Sequence, residues 1–472
     1  MIFLLLLCGF FAYLSYKQRL VRSKLPRGPF PFPFIGNVPQ LLFAVAKTGG
    51  IVKAIKTFKE EYGPVFTLWM GPKPTVHIAD YEIAYQEMVK NGGRYTDRYI
   101  PEIFLEVRKG LGMIFANGRG WLEQRRFSLH TLRNFGVGRS IIEERILKEL
   151  NTRFAAIERD ASNGVMTQNI GSFFDLVFGN VIYGLMFSLH FEENDQKFEK
   201  LKGMLGSSFE KFNLFDISVP LWVLKSPFFK WRFDSLTKPI IGIIEFCSEQ
   251  VNKRLAKIKS GEHIIADEPQ DFVDAYLKKI NEESNNNGTY FDLETLNVNL
   301  LDLWVAGQET TSITLLWGMI LLLNNPEHIT KIREEVNRIT GNGSRQLSLS
   351  DKSEAAYLNA TIHEIQRHAS ILNLNMWRIA AEGVVLNGEP VEAGTVITAQ
   401  LNLAHNVSPF GMGKRACLGE SLARAELFLI LGNFILRYDI KPSGDLPSVK
   451  TINPNGILKR PPKCEVELVK LT

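Results

Sequence analysis

Residues 410 to 419 read Phe-Gly-Met-Gly-Lys-Arg-Ala-Cys-Leu-Gly, a glycine-rich loop with one cysteine, and this loop decides the fold. Cys417 directly precedes a segment of helical periodicity, roughly residues 418 to 438. The positive end of such a helix and the neighbouring Arg415 both favour a thiolate over a thiol. The glycines allow the backbone to approach a flat ligand closely. They are Gly411, Gly413 and Gly419.

The spacing within this loop separates two interpretations of Cys417. A lone cysteine is more often a buried structural residue than a reactive one. Here phenylalanine, glycine, arginine, cysteine and glycine stand at fixed offsets from Phe410 onward. A thiolate in this position would be a strong axial donor to iron, and such donation promotes cleavage of an O–O bond. We therefore interpret Cys417 as a candidate iron ligand.

The longest helix candidate runs from residue 292 to residue 324. Asp292 is a suitable N-cap, and a further helix is expected from Pro326 to Ile339. Polar residues interrupt the apolar run of the long helix, which is then too short to span a bilayer and predicts a central helix of a large domain. Short β-rich runs at residues 65–79 and 384–398 predict a small β part.

Two residue pairs at helical spacing add to this pattern. Glu364 and Arg367 lie three residues apart, and Trp121 and Arg125 lie four residues apart. Each pair therefore shares one face of a helix. Taken alone, either pair is an ordinary feature of a helix surface, and its weight comes from its position relative to Cys417.

The sequence resembles the cytochrome P450 superfamily over nearly its whole length. The loop matches Phe-x-x-Gly-x-Arg-x-Cys-x-Gly, and the two pairs match the family's Glu-x-x-Arg and Trp-x-x-x-Arg. The branch it resembles most is the microsomal, family-2-like branch of animals, which oxidises xenobiotics and fatty acids. The resemblance implies the cytochrome P450 fold, mainly α with a small β part, behind a single N-terminal membrane anchor.

The resemblance also implies how haem b would be held. Cys417 would ligate the iron, with Phe410 and the three loop glycines against the flat ring, while Glu364 and Arg367 would brace the haem-side core. Haem carries two propionates, and buried carboxylates need cationic or N–H partners. The implied partners are Arg98, Trp121, Arg125, Arg378 and Arg415.

The polar middle of the long helix resembles the family's oxygen-activation motif. Ala306 and Gly307 would leave room beside the iron for dioxygen. Thr310 would donate to the distal oxygen or order the waters that protonate it, and Glu309 would connect that network to solvent. The alternative is a helix kinked by small polar residues, because a threonine within a helix often bonds back to a carbonyl of its own helix.

The implied reaction is monooxygenation, in which one atom of dioxygen enters an apolar substrate and the other leaves as water. Electrons would come from NADPH through NADPH–cytochrome P450 reductase, with cytochrome b5 left open as a second donor. Lys414 and Arg126 are candidate docking residues for that acidic partner. Two alternatives stay open. One is a peroxide isomerase or dehydratase of the same fold, and the other is a non-catalytic, haem-deficient or lipid-binding chain.

Composition narrows the class further. The 472 residues are 45% hydrophobic and 22% charged, a balance typical of a globular chain. The net charge of +5 is spread along the sequence and gives no reason to expect nucleic acid. The four cysteines are not closely spaced, which excludes a disulfide framework or a zinc pattern and fits a reducing compartment.

The N-terminal region divides the chain into three expected parts. Residues 1–24 join an apolar run to a basic flank, which predicts an uncleaved anchor in the endoplasmic reticulum membrane with a cytosolic body. Residues 25–37 are proline-rich and predict a stiff strap. Residues 38–472 are expected to form the catalytic domain.

Substrate contacts are expected in three mostly apolar regions, at residues 99–115, 209–215 and 371–375. Lipids, fatty acids and xenobiotics therefore all stay open. The segment from Phe212 to Trp231 is dense in aromatic residues with interspersed lysine. It has three interpretations: a core loop, a surface loop that dips into the membrane, or a lid over an apolar channel.

One departure from the family lies between His405 and Phe410. The family has a further stretch here, the meander, whose arginine completes a triad with the residues matched by Glu364 and Arg367. The missing piece, near residues 406–408, is on the order of 25 residues, far more than ordinary variation in loop length. Breaking a buried ion network typically costs about 3–5 kcal/mol. We therefore expect the chain as written to retain haem poorly.

Overall fold

The computed structural model describes residues 9, 13, 15–136, 140–159, 161, 164–213, 216, 219–286, 288–403 and 408–471. Most of the expected membrane anchor lies outside these residues, as do residues 404–407 at the expected gap. Residues 15–22 are helical and mostly exposed. The strap contacts the body, because Asn37 Oδ1 accepts the backbone N–H of Trp69 at 2.8 Å.

The body is mainly helical. The helices whose ends are described are α1 (Val38–Thr48), α2 (Ile51–Tyr62), α3 (Tyr81–Tyr85), α4 (Glu102–Arg108), α5 (Gly118–Asn134), α6 (Ser140–Arg159), α7 (Ile170–Phe187), α8 (Gln196–Lys211), α9 (Leu221–Leu224), α10 (Lys230–Ser260), α11 (Phe272–Glu282), α12 (Leu293–Leu323), α13 (Pro326–Thr340), α14 (Ala356–Ala369) and α15 (Glu420–Arg437). We call α12 the central helix and α15 the cysteine helix.

The central helix confirms the prediction of a long helix between residues 292 and 324. Asp292 caps it by accepting the backbone N–H of Thr295 at 2.7 Å, and Pro326 opens the next helix. Apolar residues surround the helix axis, so most of the helix is buried in the main core. Its closest neighbours include α7 and the cysteine helix.

The apolar helix α7 is a core helix. By length and hydropathy it would be able to cross a membrane, but 78% of it is buried inside the protein. The other candidate span among the described residues is the pair α1 and α2, which is bent by 110°. Neither feature bears on the anchor expected in residues 1–24.

The β part is small. The strands are β1 (Val65–Met70), β2 (Lys73–Ile78), β3 (Val165–Asn169), β4 (Arg378–Ile379), β5 (Val384–Leu386), β6 (Glu389–Val391), β7 (Val396–Ala399), β8 (Tyr438–Pro442) and β9 (Glu465–Lys470). They form a four-stranded sheet in the order β1-β2-β7-β4, a three-stranded sheet β3-β9-β8 and the hairpin β5-β6. Asn387 and Gly388, with φ of 50° and 84°, close that hairpin as their sequence predicts. The predicted fold class, mainly α with a small β part, is confirmed.

Candidate functional site

The loop before the cysteine helix is closed by its own backbone. The N–H of Cys417 donates to the Phe410 carbonyl at 2.8 Å, and the N–H of Ala416 donates to Gly413 at 3.0 Å. Gly413 has a φ of +73°, and a Cβ there would lie 1.8 Å from the carbonyl oxygen of Met88. The loop can therefore pack on the π-helical turn Gln86–Lys90 only with glycine at this position.

The side chain of Cys417 is exposed on the cysteine loop. Partial burial by the surrounding protein raises the pKa of Cys417. The Gly419 N–H and the charges of Arg125 and Arg98 act in the opposite direction on that pKa. Arg125 and Arg98 are thus two further arginines whose charge favours the thiolate, beside the expected Arg415. The charge of a bound metal ion would favour deprotonation further.

Arg415 anchors a group of cationic side chains near Cys417. Its guanidinium group donates to the carbonyls of Thr96 at 2.8 Å and Ala116 at 2.6 Å, and it stacks 3.6 Å from the Trp121 ring centroid. Arg125 lies one turn after Trp121 on α5, and it donates to the carbonyl of Ala416 at 2.8 Å. Trp121 and Arg125, which the sequence identified as a pair by their spacing, thus both lie against the cysteine loop.

Arg98 and Arg378 complete this group, which we call the arginine cluster. Their backbones pair as an isolated β-bridge, and Arg378 is 6% exposed. Burial, followed by repulsion from the neighbouring arginines, lowers the pKa of Arg378 and of Arg415 to about 8. Burial also lowers the pKa of Arg98 to about 10, against the opposing charge of Asp302.

Three buried N–H donors, two in the arginine cluster and one on the adjacent Trp121, have no hydrogen-bond partner among the described residues. They are Arg98 Nε, Arg378 Nη1 and Trp121 Nε1. Buried cations and unpaired N–H groups are unfavourable unless an anion accepts from them. A pair of carboxylates would satisfy both requirements, so the residues present fit the propionates of haem. All five implied propionate partners lie in this one region.

The central helix has an accessible stretch in its otherwise buried middle. Ala306 is exposed and Thr310 is half-buried, one turn further along. The Thr310 hydroxyl donates to the Ala306 carbonyl at 2.7 Å, which is the back-bonding expected of a mid-helix threonine. Gly307 faces α7, where a Cβ would lie 2.9 Å from Ile182 Cγ1, so its small size serves helix packing. Ala306 is the more exposed of the two small residues, and Gly307 is half-buried like Thr310.

Glu309 points away from Thr310, into the protein. Its Oε2 pairs with Arg460 at 2.7 Å, and Arg460 also lies 3.4 Å from the half-exposed Glu210. The other oxygen, Oε1, is buried without a partner in the described part of the chain. Arg460 was not anticipated from the sequence, because it lies about 150 residues away on the C-terminal segment and carries no motif of its own.

Glu364 and Arg367 form the expected pair on α14, with N–O distances of 2.6 and 2.7 Å. However, their side chains are 54% and 48% exposed. An exposed ion pair contributes only about 0–1 kcal/mol, so the expected cost of a broken buried network was wrong for this pair.

Comparison with known proteins agrees with this geometry. The family model described as "Cytochrome P450" matches residues 26–407 and, separately, residues 403–468. The protein called "Probable cytochrome P450 cyp-35D1" of Caenorhabditis elegans is 39% identical over 485 aligned residues, which cover 96% of this chain and 97% of that protein. Cytochrome P450 2C1 of Oryctolagus cuniculus is 33% identical over 484 residues, which cover 96% of both chains.

The match is therefore not confined to one motif. It extends from the proline-rich residues 26–37 through the central helix to the cysteine loop, and the unpaired donors of the arginine cluster fit the carboxylates of a haem. The chain belongs to the cytochrome P450 family of haem monooxygenases.

Proposed function

We propose that this chain inserts one oxygen atom of dioxygen into an apolar substrate, and that Cys417 would hold the iron of haem b. The observation that carries the proposal is the arginine cluster with its unpaired donors beside the Cys417 thiol. Bound haem would supply dioxygen binding and one-electron chemistry. The protein residues bind the propionates, hold the thiol at the start of the cysteine helix and limit access of water.

Thr310 and Glu309 would both take part in proton delivery, from two different sides of the central helix. The Thr310 hydroxyl donates to the Ala306 carbonyl, and its oxygen would still accept a hydrogen bond from water and so hold a proton donor at the accessible stretch of the central helix. Glu309, paired with Arg460 and near Glu210, would relay protons from the surface. Electrons would come from NADPH through a cytochrome P450 reductase, with cytochrome b5 as an optional donor.

Turnover with NADPH and purified reductase tests this assignment. Thr310→Ala should keep its haem but release more peroxide and less product for each NADPH consumed, because protons are then delivered less selectively. Thr314→Ala, one turn further along and hydrogen-bonded to the Thr310 carbonyl at 2.8 Å, is a matched control. Product formation that needs neither NADPH nor reductase would instead favour the peroxide isomerase.

We also propose that the body lies on the cytosolic face of the endoplasmic reticulum membrane. The apolar run and basic flank of residues 1–24 support an anchor, and residues 25–37 support a strap to the body. The segment from Phe212 to Trp231 supplies a second candidate contact. Phe212 and Leu224 are buried in it, whereas Trp222, Phe228 and Trp231 are strongly exposed. A core loop would not expose these three side chains.

A haem-deficient chain is the second candidate, and two observations favour it. The family model matches in two pieces that overlap at residues 403–407, as it would if a stretch of the family were missing at this point. The alignment with the Caenorhabditis elegans relative is longer than this 472-residue chain, although part of the chain stays unaligned. The relative therefore has residues without a counterpart here. Loss of this stretch would leave the cysteine loop less supported.

A further inference from the structure

A buried hydrogen bond joins two chain segments that contact the cysteine loop. Tyr95 is 2% exposed, and its hydroxyl donates to Oε2 of Glu87 at 2.6 Å. Glu87 is 8% exposed, and the side-chain amide of Asn91 donates to its Oε1 at 3.1 Å. None of these residues belongs to the cysteine loop, the implied propionate partners or the Thr310 motif.

Glu87 lies on the π-helical turn Gln86–Lys90, against which the cysteine loop packs. Single π-helical turns occur often at functional sites. A Cβ at Gly413 would lie 1.8 Å from the carbonyl oxygen of Met88, the residue after Glu87. Because the two backbones are in direct contact, a shift of the turn must either move the loop or open a gap beside it.

Tyr95 lies in the segment that binds Arg415. The carbonyl of the next residue, Thr96, accepts a hydrogen bond from Arg415 Nε at 2.8 Å. The backbone on either side of Tyr95 also accepts hydrogen bonds at 2.8 Å from two N–H groups in residues 379–381. The hydroxyl of Tyr95 therefore connects the π-helical turn to a segment that is itself fixed and that holds Arg415.

The Tyr95 hydroxyl is a donor that Glu87 requires. Burial, followed by the hydrogen bond to Glu87, raises the pKa of Tyr95, so the hydroxyl keeps its proton and stays a donor. A buried carboxylate without such donors is unfavourable. If the hydroxyl were removed, Glu87 Oε2 would lose the 2.6 Å bond, and the turn would shift to bring the carboxylate to water.

We propose that Glu87 and Tyr95 are positioning residues for Cys417, because their hydrogen bond fixes the cysteine loop relative to the segment that binds Arg415. This inference rests on the proposed function, in which Cys417 would hold the haem iron, and it adds two residues that no sequence motif marks. The competing explanation is that the pair stabilises only the small core to which Tyr95 and Met88 belong. The two explanations differ in what the loop does when the hydroxyl is removed.

Hydrogen exchange of the full chain, followed by mass spectrometry, tests this inference without haem. Tyr95→Phe should speed exchange in peptides within residues 408–419 about tenfold or more, because their amide hydrogens exchange when the loop opens locally. Peptides within residues 422–435 of the cysteine helix should change less than about threefold. Glu87→Gln keeps the shape and an acceptor for Tyr95, so it should leave loop exchange within about threefold of the parent.

Tyr438→Phe is the matched control. Tyr438 is fully buried, and its hydroxyl donates to Glu158 at 2.8 Å, but it lies at the far end of the cysteine helix. A helix of 18 residues is about 27 Å long, so losing this bond should lower stability to urea as Tyr95→Phe does without faster loop exchange. Equal acceleration in both variants, or no acceleration in Tyr95→Phe, would overturn the inference.

The carbon monoxide difference spectrum, recorded per bound haem, is the second readout. Tyr95→Phe should lower the fraction of haem with the shifted band of thiolate ligation at least about twofold, whereas Tyr438→Phe should keep the parent's fraction. A contact that only stabilises the fold would lower the amount of haem but not this fraction, so an unchanged fraction in Tyr95→Phe would contradict the inference. Absence of the shifted band in the parent would refute the proposed function, and hydrogen exchange would still decide whether the pair positions the loop.

Discussion

At the scale of single residues, Gly413 determines how closely the cysteine loop approaches its neighbour. Gly411 and Gly413 both have positive φ, but a Cβ at Gly411 would meet open space, whereas one at Gly413 would meet Met88. Gly411→Ala should therefore lower the free energy of unfolding by about 1 kcal/mol, from backbone strain alone. Gly413→Ala should lower it by at least about 3 kcal/mol, because the backbone must move. Chemical unfolding of both variants measures the difference, and equal losses would contradict the packing of this loop on residues 86–90.

Glu426 is a second residue for which the structure predicts a measurable effect, in this case on how stability depends on pH. It is 4% exposed on the cysteine helix among apolar neighbours, and a side-chain hydrogen bond with Thr311 opposes the effect of burial on its pKa. Burial raises the pKa of Glu426 to about 8, from 4.5. The folded protein therefore holds a proton that the unfolded chain releases between these pH values. The contribution of Glu426 to stability is fully present below pH 4.5 and is lost as the pH rises toward 8, by up to about 1.4 kcal/mol per pH unit.

Glu426→Gln removes this titration, so the difference in stability between variant and parent should grow as the pH rises from 5 to 8. Glu389→Gln, an exposed carboxylate of the β5-β6 hairpin, is the control and should leave the pH slope unchanged. Urea unfolding at several pH values gives both slopes. Parallel curves for Glu426→Gln and the parent would show that Glu426 is ionised in the folded protein.

At the scale of elements, local chemistry made the long helices and hairpins predictable. Local features of this kind depend only on residues a few positions apart, so they can be recognised in the sequence. They include the Asp292 cap, the helix start at Pro326 and the Asn387-Gly388 turn. The pairing of Arg108 with Asp302 and of Arg460 with Glu309 spans 194 and 151 residues. No local signal identifies such partners. The sequence does show that Asp302 and Glu309 need partners, because each interrupts an apolar helix.

The segment from Phe212 to Trp231 makes a prediction about membrane binding. Trp222 and Phe228 are 76% and 86% exposed, and moving such side chains from water into lipid is worth about 1.5–3 kcal/mol each. In a chain lacking residues 2–24, Trp222→Ser with Phe228→Ser should reduce vesicle binding by about tenfold or more in a sedimentation assay. Ile264→Ser removes an equally exposed apolar residue, 83% exposed in the turn after α10, and should have little effect. Equal loss in both variants would exclude a specific second contact.

At the scale of the whole molecule, the stretch that we expect to be missing near residues 406–408 would decide whether the site holds haem. Arg98, Arg125 and Arg378 precede residues 404–407 in the sequence and the cysteine loop follows them, while residues 404–407 lie outside the described residues. Because the Glu364–Arg367 pair is exposed, we do not expect the missing stretch to leave a buried charge unpaired. We expect its loss to weaken the packing that supports the cysteine loop. We expect the chain as written to contain well under one haem per protein. Inserting the corresponding stretch of a relative should bring the ratio close to one.

The haem-to-protein ratio of both chains, from pyridine haemochrome and amino-acid analysis, measures this effect. A matched control inserts a glycine-serine stretch of the same length, which should leave the ratio low because it provides no packing surface. A stoichiometric ratio in the chain as written would show that the meander is dispensable here. The assignment of the site residues would then stand, and the haem-deficient candidate would be rejected.

The central claim is that Cys417 ligates haem iron as a thiolate. Its most direct test is the carbon monoxide difference spectrum of the reduced protein, recorded per bound haem for the parent chain and for Cys417→Ser. The parent should show the shifted Soret band of thiolate-ligated haem, even if the amplitude is small. Cys417→Ser should lack that band, because a hydroxyl is a poor donor to haem iron. A Cys417→Ser spectrum identical to that of the parent would contradict the account.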